Sequence, residues 1–195
     1  MFLYLVRHGQ SLGNAMGKFH GQTDYPLTEL GHRQAREAGE KLKNVSFTRC
    51  CASNLRRAWD TALHCLEGRN MEPEVCLGLR EHFVGDLEDT PWDDLNETHP
   101  DLHRSYLHSW AQTVPPGGET PEEMAQRVGK AVDEIVQRGE DTLVVAHNGS
   151  LTLLLAHLGL EDRENVLKQG HIFEQGCCSA VEITEEGAKL LWFNR

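Results

Sequence analysis

The stretch Phe2-Leu3-Tyr4-Leu5-Val6-Arg7-His8-Gly9-Gln10-Ser11-Leu12-Gly13-Asn14 decides how the chain is read. Phe2 to Val6 are apolar without interruption, the pattern of a buried strand, and they run straight into Arg7-His8-Gly9 and a small polar loop. A strand of this kind delivers its last side chains into a cleft. Arg7 supplies a fixed cation with bidentate donors, His8 a nitrogen that titrates near neutral pH, and Gly9 a backbone that a ligand can approach closely. Together they suit a phosphate.

Working outward, the same strand-to-polar-loop junction recurs. Val45 to Ala52 reads as a strand ending in Ser53-Asn54, and the helix that follows carries Leu55, Ala58, Trp59, Ala62, Leu63 and Leu66 as an apolar stripe. Arg56 and Arg57 sit in its first turn, where the helix dipole disfavours cations, so a bound anion would offset a local cost. A short strand around Val75 to Leu77 leads into Leu79-Arg80-Glu81-His82, and Asp141 to Ala146 leads into His147-Asn148-Gly149-Ser150 and a helix over Leu151 to Leu158. Further helices are expected from Leu27 to about Lys43 and, behind the capping box Thr120-Pro121-Glu122-Glu123, to about Arg138. The tail reads as strands near His171 to Phe173, Ala180 to Ile183 and Lys189 to Phe193. Gly13 to Pro26 is a long loop without usable period, which favours function. The fold expected is α/β: a three-layer sandwich with a mostly parallel central sheet, helices on both faces and an antiparallel edge. Ligands of such sheets bind beyond the carboxyl ends of the strands, where Arg7, His8, Arg57, Glu81 and His147 all fall.

Composition narrows the function. At 195 residues the chain is expected to form one domain, 1–195, with a loop-rich helical insertion at about 82–118 covering the cleft. A formal net charge of -11 argues against nucleic acid and anionic membranes as partners, while leaving room for a small phosphate in a locally basic pocket. The N-terminus has one apolar pentad and no basic flank, so neither a signal peptide nor a membrane span is expected and the protein is read as cytoplasmic. Cys50, Cys51, Cys65, Cys76, Cys177 and Cys178 lack zinc spacing and read as free buried thiols. His99 and His103 stand four residues apart, with His108 beyond, but Pro100 at a helix start explains the segment without a metal. No metal or cofactor is expected.

The blocks resemble those of the histidine phosphatase superfamily, which includes cofactor-dependent phosphoglycerate mutases, fructose-2,6-bisphosphatases and ribazole phosphatases. Arg7-His8-Gly9 matches its R-H-G signature, Gly21-Gln22-Thr23-Asp24-Tyr25-Pro26-Leu27-Thr28 its G-x-x-D-x-P-L-T segment, and Ser53-Asn54-Leu55-Arg56-Arg57-Ala58 its S-x-L-x-R-A pattern. Leu79-Arg80-Glu81 matches the acid-bearing segment and Ala146-His147 the second histidine, in family order across residues 3 to 150. The resemblance implies a phosphoglycerate mutase-like fold in which His8 is the nucleophile that forms a phosphohistidine. Arg7, Arg57 and His147 would then clamp the phosphoryl oxygens and Glu81 would donate the proton. Ser11, Asn14, His20, Gly21, Gln22, Asn148 and Gly149 form the expected substrate-binding set. His8 should be neutral, with its other nitrogen bonded to a backbone carbonyl, whereas His147 is more useful protonated.

Departures from the pattern bear on the reaction. Mutases of the family tend to read H-G-N-S-L-R where this chain has His147-Asn148-Gly149-Ser150-Leu151-Thr152, so the arginine for a second phosphate is absent. Pro116-Gly117-Gly118-Glu119-Thr120 resembles the P-G-G-E-S/T segment of ribazole-phosphatase-like and broad-specificity members. The expected activity is hydrolysis of a small phosphorylated metabolite by a monomer or homodimer. Mutase-type transfer and a phospho-ligand binding module without turnover are the alternatives.

Overall fold

The run Phe2–Arg7 forms β1, the strand on which the central sheet is built. The computed structural model describes residues 1–161 and 172–195. After β1 come α1 (Leu12–Ala15), β2 (Lys18–Phe19), α2 (Glu29–Leu42), β3 (Arg49–Ala52), α3 (Arg56–Cys65) and β4 (Glu74–Val75). β5 (Thr90–Pro91), α4 (Trp92–Thr98), α5 (Pro100–Ser109) and α6 (Pro121–Gln137) follow. The described chain closes with β6 (Thr142–Ala146), α7 (Asn148–His157), β7 (Cys178–Thr184) and β8 (Gly187–Trp192).

Six strands make one sheet in the order β4-β3-β6-β1-β7-β8. β4, β3, β6 and β1 run parallel, and β7 and β8 close the edge as an antiparallel hairpin. The period of two along β1 sorts its side chains. Leu3 and Leu5 pack with Met124, Val128 and Val132 of α6 and with Leu151, Leu154 and Leu155 of α7. Val6 faces the other way, to Ala38 and Leu42 of α2 and Ala62 and Cys65 of α3. Cys50 and Cys51 are divided between these two cores, so their adjacency in sequence carries no shared ligand geometry. All six cysteines are free. The expected three layers are therefore present.

Several boundaries differ from those read in the sequence. β3 is confined to Arg49–Ala52, with Phe47 outside the strand but buried against α2 and α3. After β4 the chain turns through a 3-10 helix at Leu77–Leu79 rather than extending to Leu77. Of the expected strand at His171 to Phe173, His171 lies outside the described residues; Ile172 and Phe173 are not in a strand. The segment 85–118 is less loop-rich than its composition suggests, because Leu95 of α4 and Tyr106 of α5 share a third core with Val84, Leu87 and Phe19. The two-stranded β2–β5 sheet ties that core to the loop after α1. No helix among the described residues is long and apolar enough to cross a membrane.

Candidate active site

Register brings the site together. Arg7 pairs with Ala146 and Ala52 with Val145, so β1, β6 and β3 stop nearly level and place His8, His147 and Ser53 side by side. The His8 amide donates to Ala146 O at 3.0 Å, and the two imidazole rings meet edge to face with centroids 5.0 Å apart. His147 Nε2 lies 2.9 Å from Ser53 Oγ.

His8 Nδ1 lies 2.7 Å from Gly9 O and must donate to it, since a carbonyl only accepts. The lone pair is then on Nε2, the tautomer expected of an attacking nitrogen. Burial, followed by the Arg57 and Arg7 charges, holds the His8 pKa well below its usual value, so the ring is neutral at pH 7. His147 departs from expectation. Burial and then Arg57, His8 and Arg7 hold its pKa well below the usual value too, so it is neutral rather than protonated at pH 7.

The two arginines are held by carbonyls, not carboxylates. Arg57 is 1% exposed and donates to Thr23 O at 3.0 Å and Gly21 O at 2.6 Å. Burial brings its pKa down to about 10, against the opposing pull of Glu81, so it stays charged. Arg7 donates to Phe173 O at 2.5 Å. Arg7 Nε, Arg57 Nε and His147 Nδ1 are buried without a hydrogen-bond partner among the described residues. Buried donors of this kind, two of them on cations, ask for an anion. The neighbouring Arg56 shares the helix turn but not the site; it is exposed and lies 3.6 Å from Asp60.

Glu81 enters from the loop after the 3-10 turn at Leu77–Leu79. Its carboxylate accepts from the amides of Gly149 at 3.1 Å and His82 at 3.0 Å. The glycine at 149 lets the Glu81 carboxylate stand against the helix start. A Cβ at 149 would stand 2.4 Å from Glu81 Oε1, while Asn148 Oδ1 accepts from Phe173 N at 2.8 Å. Behind Glu81, Arg127 donates to the carbonyls of Gly78, Arg80 and Glu81 and makes a bidentate pair with Glu119.

The loop of the G-x-x-D segment is gathered by Glu88. Its carboxylate accepts from the amides of Gly21, Gln22, Thr23 and Val84 and from the Thr23 hydroxyl. Burial alone would raise the Glu88 pKa, but these hydrogen bonds outweigh it and hold the group below its usual value. Gly21 is needed at this crossing, because a Cβ there would lie 1.7 Å from His82 O. Of the other expected substrate-binding residues, Ser11 caps α1, bonding Asn14 Oδ1 at 2.9 Å and facing His20 Nε2 at 3.1 Å. Gln22 Nε2 donates to Glu81 O at 3.0 Å. His20, Gly21, Asn148 and Gly149 line a cavity beside Glu81. Glu88, in sequence a second candidate for the acid, instead holds this loop, and Thr61, which accepts from Gly9 N at 3.1 Å, and Arg127 carry no mark in the sequence, since each acts on a partner dozens of positions away. The three histidines of the insertion make no cluster: His103 stacks on Trp92 with centroids 4.6 Å apart, and no metal-type group of three exists among the described residues.

A neutral imidazole beside two guanidiniums, one of them fully buried, and a carboxylate set at a helix start suits phosphoryl transfer. The family model of the histidine phosphatase superfamily (branch 1) matches residues 3–195, and the chain belongs to that superfamily. It is 33% identical over 197 residues to the adenosylcobalamin/alpha-ribazole phosphatase of Salmonella typhimurium, covering 100% of this chain and 96% of the relative. It is 32% identical over 158 residues to a protein of Yersinia pestis named "Probable phosphoglycerate mutase GpmB", covering 80% of this chain and 74% of the relative. Among solved structures, the alpha-ribazole phosphatase of Shigella flexneri superposes with a TM-score of 0.90 at 31% identity, covering 100% of this chain and 96% of that one. The mycobacterial glucosyl-3-phosphoglycerate phosphatase complexed with VO3 does so with 0.85 at 27%, covering 99% and 98%. The expected class, a phosphoric monoester hydrolase, agrees with the phosphatase names.

Proposed function

We propose that this protein is a phosphomonoesterase that hydrolyses a small phosphorylated metabolite through a phosphohistidine on His8. The observation that carries the reading is the His8 ring itself, kept neutral and bonded through Nδ1 to Gly9 O beside the buried Arg57 and the half-buried Arg7. His8 Nε2 attacks phosphorus as the bond to the leaving oxygen breaks. That oxygen takes the Glu81 proton, and the charge on the three remaining phosphoryl oxygens is met by Arg7, Arg57 and His147. A Ser53 hydroxyl that donates to His147 Nε2 leaves the imidazole N–H on Nδ1, which has no hydrogen-bond partner among the described residues. Water then attacks phosphorus, gives its proton to the Glu81 carboxylate and breaks the P–N bond, releasing inorganic phosphate and restoring both residues.

Hydrolysis is favoured over mutase transfer by Thr152, buried in α7 where mutases of the family place an arginine. We read residues 1–195 as one domain whose insertion at 82–118 covers the cleft. Six free thiols fit a reducing compartment, so we place the protein in the cytoplasm.

The experiment is rapid quench of wild type and His8→Asn with a phosphate monoester. Wild type is expected to yield an acid-labile, base-stable phosphoenzyme, and His8→Asn to lose at least about 10⁴-fold in turnover while keeping its fold. Full activity in the variant would overturn the assignment.

A further inference from the structure

Ahead of β7 the chain runs past Arg7 as a short segment, Ile172-Phe173-Glu174, that belongs to no strand. Backbone groups outside a ladder need partners of another kind. Four consecutive ones, from Ile172 O to Glu174 N, all end on side chains. Asn194 donates from Nδ2 to Ile172 O at 2.8 Å, and its Oδ1 accepts from Glu174 N at 3.1 Å. Between these two bonds Asn148 Oδ1 accepts from Phe173 N at 2.8 Å, and Phe173 O accepts from Arg7 Nη1 at 2.5 Å.

We propose that Asn148 and Asn194 are positioning residues for Arg7: they fix the two peptides that flank Phe173, and with them the carbonyl that holds the Arg7 guanidinium against the phosphoryl group. This deepens the phosphomonoesterase reading and rests on it, since Arg7 is a clamp only where a phosphoryl group is bound.

The geometry works peptide by peptide. The one joining Ile172 to Phe173 is held at both ends, by Asn194 at its oxygen and by Asn148 at its nitrogen. The next is held by Asn194 at its nitrogen and presents its oxygen to Arg7. A peptide unit is planar and rigid, so a bond at its N–H sets the direction of its C=O. The Phe173 ring, buried and edge-on to Phe193 with centroids 4.8 Å apart, fastens the Cα between the two units. Arg7 depends on this support more than Arg57 does. Among the described residues its guanidinium has Phe173 O as partner and an unpartnered Nε, whereas Arg57 donates to two carbonyls.

Asparagine suits both places. At 148 it accepts without a charge, where a carboxylate would add a second negative group to a cavity that Glu81 already lines. At 194 the backbone has φ 49°, a left-handed conformation that asparagine enters more readily than most residues. Asn148, expected from the sequence to touch substrate, thus has its Oδ1 committed to Phe173 N.

The test is a double-mutant cycle between Asn148→Ala and Arg7→Met, read as kcat/KM for p-nitrophenyl phosphate and for an alkyl phosphate, and as inhibition by orthovanadate. A parallel cycle uses Asn194→Gly, which keeps the left-handed backbone, and decides the matter if Asn148→Ala fails to fold. Each asparagine variant is expected to lose roughly 10-fold on both esters alike, and to bind vanadate more weakly by a similar factor, because Arg7 serves the phosphoryl group they share. In the Arg7→Met background the same substitutions should cost less than about 2-fold, since they act through Arg7 alone. A general structural role would carry its full cost into that background, so equal losses in the two backgrounds would overturn the proposal. No loss in either asparagine variant, or a loss confined to the alkyl ester, would overturn it too. An Arg7→Met enzyme as fast as wild type would instead overturn the phosphoryl-clamp reading beneath it.

Discussion

At the strand ends, His8, Arg57 and His147 are buried and Arg7 half-buried, and all four are oriented by hydrogen bonds to Phe173 O, Gly9 O, Thr23 O, Gly21 O and Ser53. Around the cavity next to them, Phe19, Tyr106 and Trp110 are oriented by packing in a small core outside the main sheet. The first region handles a group of one chemistry, and directional bonds to rigid strands suit it. The second is held by apolar packing, which can be exchanged without disturbing the cations. Glu81 belongs to both, since its carboxylate reaches the start of α7 while its backbone is anchored by Arg127.

That dual membership can be broken experimentally. Glu81→Gln is expected to slow hydrolysis of an alkyl phosphate by about 10²-fold to 10⁴-fold, the contribution of a positioned acid, and that of p-nitrophenyl phosphate much less. His147→Asn should slow both substrates alike, because it serves the phosphoryl group they share. Equal losses for Glu81→Gln on the two esters in single-turnover kinetics would separate Glu81 from the proton.

A smaller effect sharpens the same boundary. Arg127→Met removes the pair with Glu119 and the anchors on Gly78, Arg80 and Glu81. It is expected to lower kcat on the alkyl ester by roughly 10-fold, as loosened placement of a catalytic group does, and to lower it less on the aryl ester. A merely structural role for Arg127 would depress both equally.

The phosphate end also has a pH signature. His8 and His147 are held well below 6.5 in the folded protein, while the unfolded chain titrates near 6.5. Above 6.5 neither state binds these protons and stability is unaffected. As pH falls below 6.5 the unfolded chain takes them up and the folded protein does not. Stability of the empty protein should then drop by up to about 1.4 kcal/mol per pH unit for each histidine until the folded pKa is reached. Urea midpoints for wild type and His8→Asn between pH 7 and 5 measure this, with a shallower slope expected in the variant. Parallel slopes would show that His8 is not held neutral by its surroundings.

How much of this was legible in the sequence follows the same division. β1, β6 and the junctions at Arg7-His8 and His147 could be read because continuous apolar runs and abrupt polar ends are local signals. By helix position alone Arg56 and Arg57 are alike; the S-x-L-x-R-A resemblance picks out Arg57, and helix rotation against the sheet is what buries it and exposes Arg56. Residues 85–118 appeared loop-rich because their apolar positions serve a small separate core whose partner Phe19 lies far upstream. Tyr106, Thr61 and Arg127 were invisible for the related reason that their partners are set by tertiary contact. Pro116-Gly117-Gly118-Glu119-Thr120 was recognised as a segment, but the pairing of Glu119 with Arg127 became apparent only in three dimensions.

Glu88 has a further consequence. Four amides, those of Gly21, Gln22, Thr23 and Val84, end on one carboxylate, and Arg57 is held by the carbonyls of the same loop. Removing that carboxylate takes an acceptor from all four at once, so Glu88→Gln is expected to lower their protection against deuterium exchange together. Loop and guanidinium are thus a single unit of local unfolding, and a cleft that opened there would release its cation in the same movement.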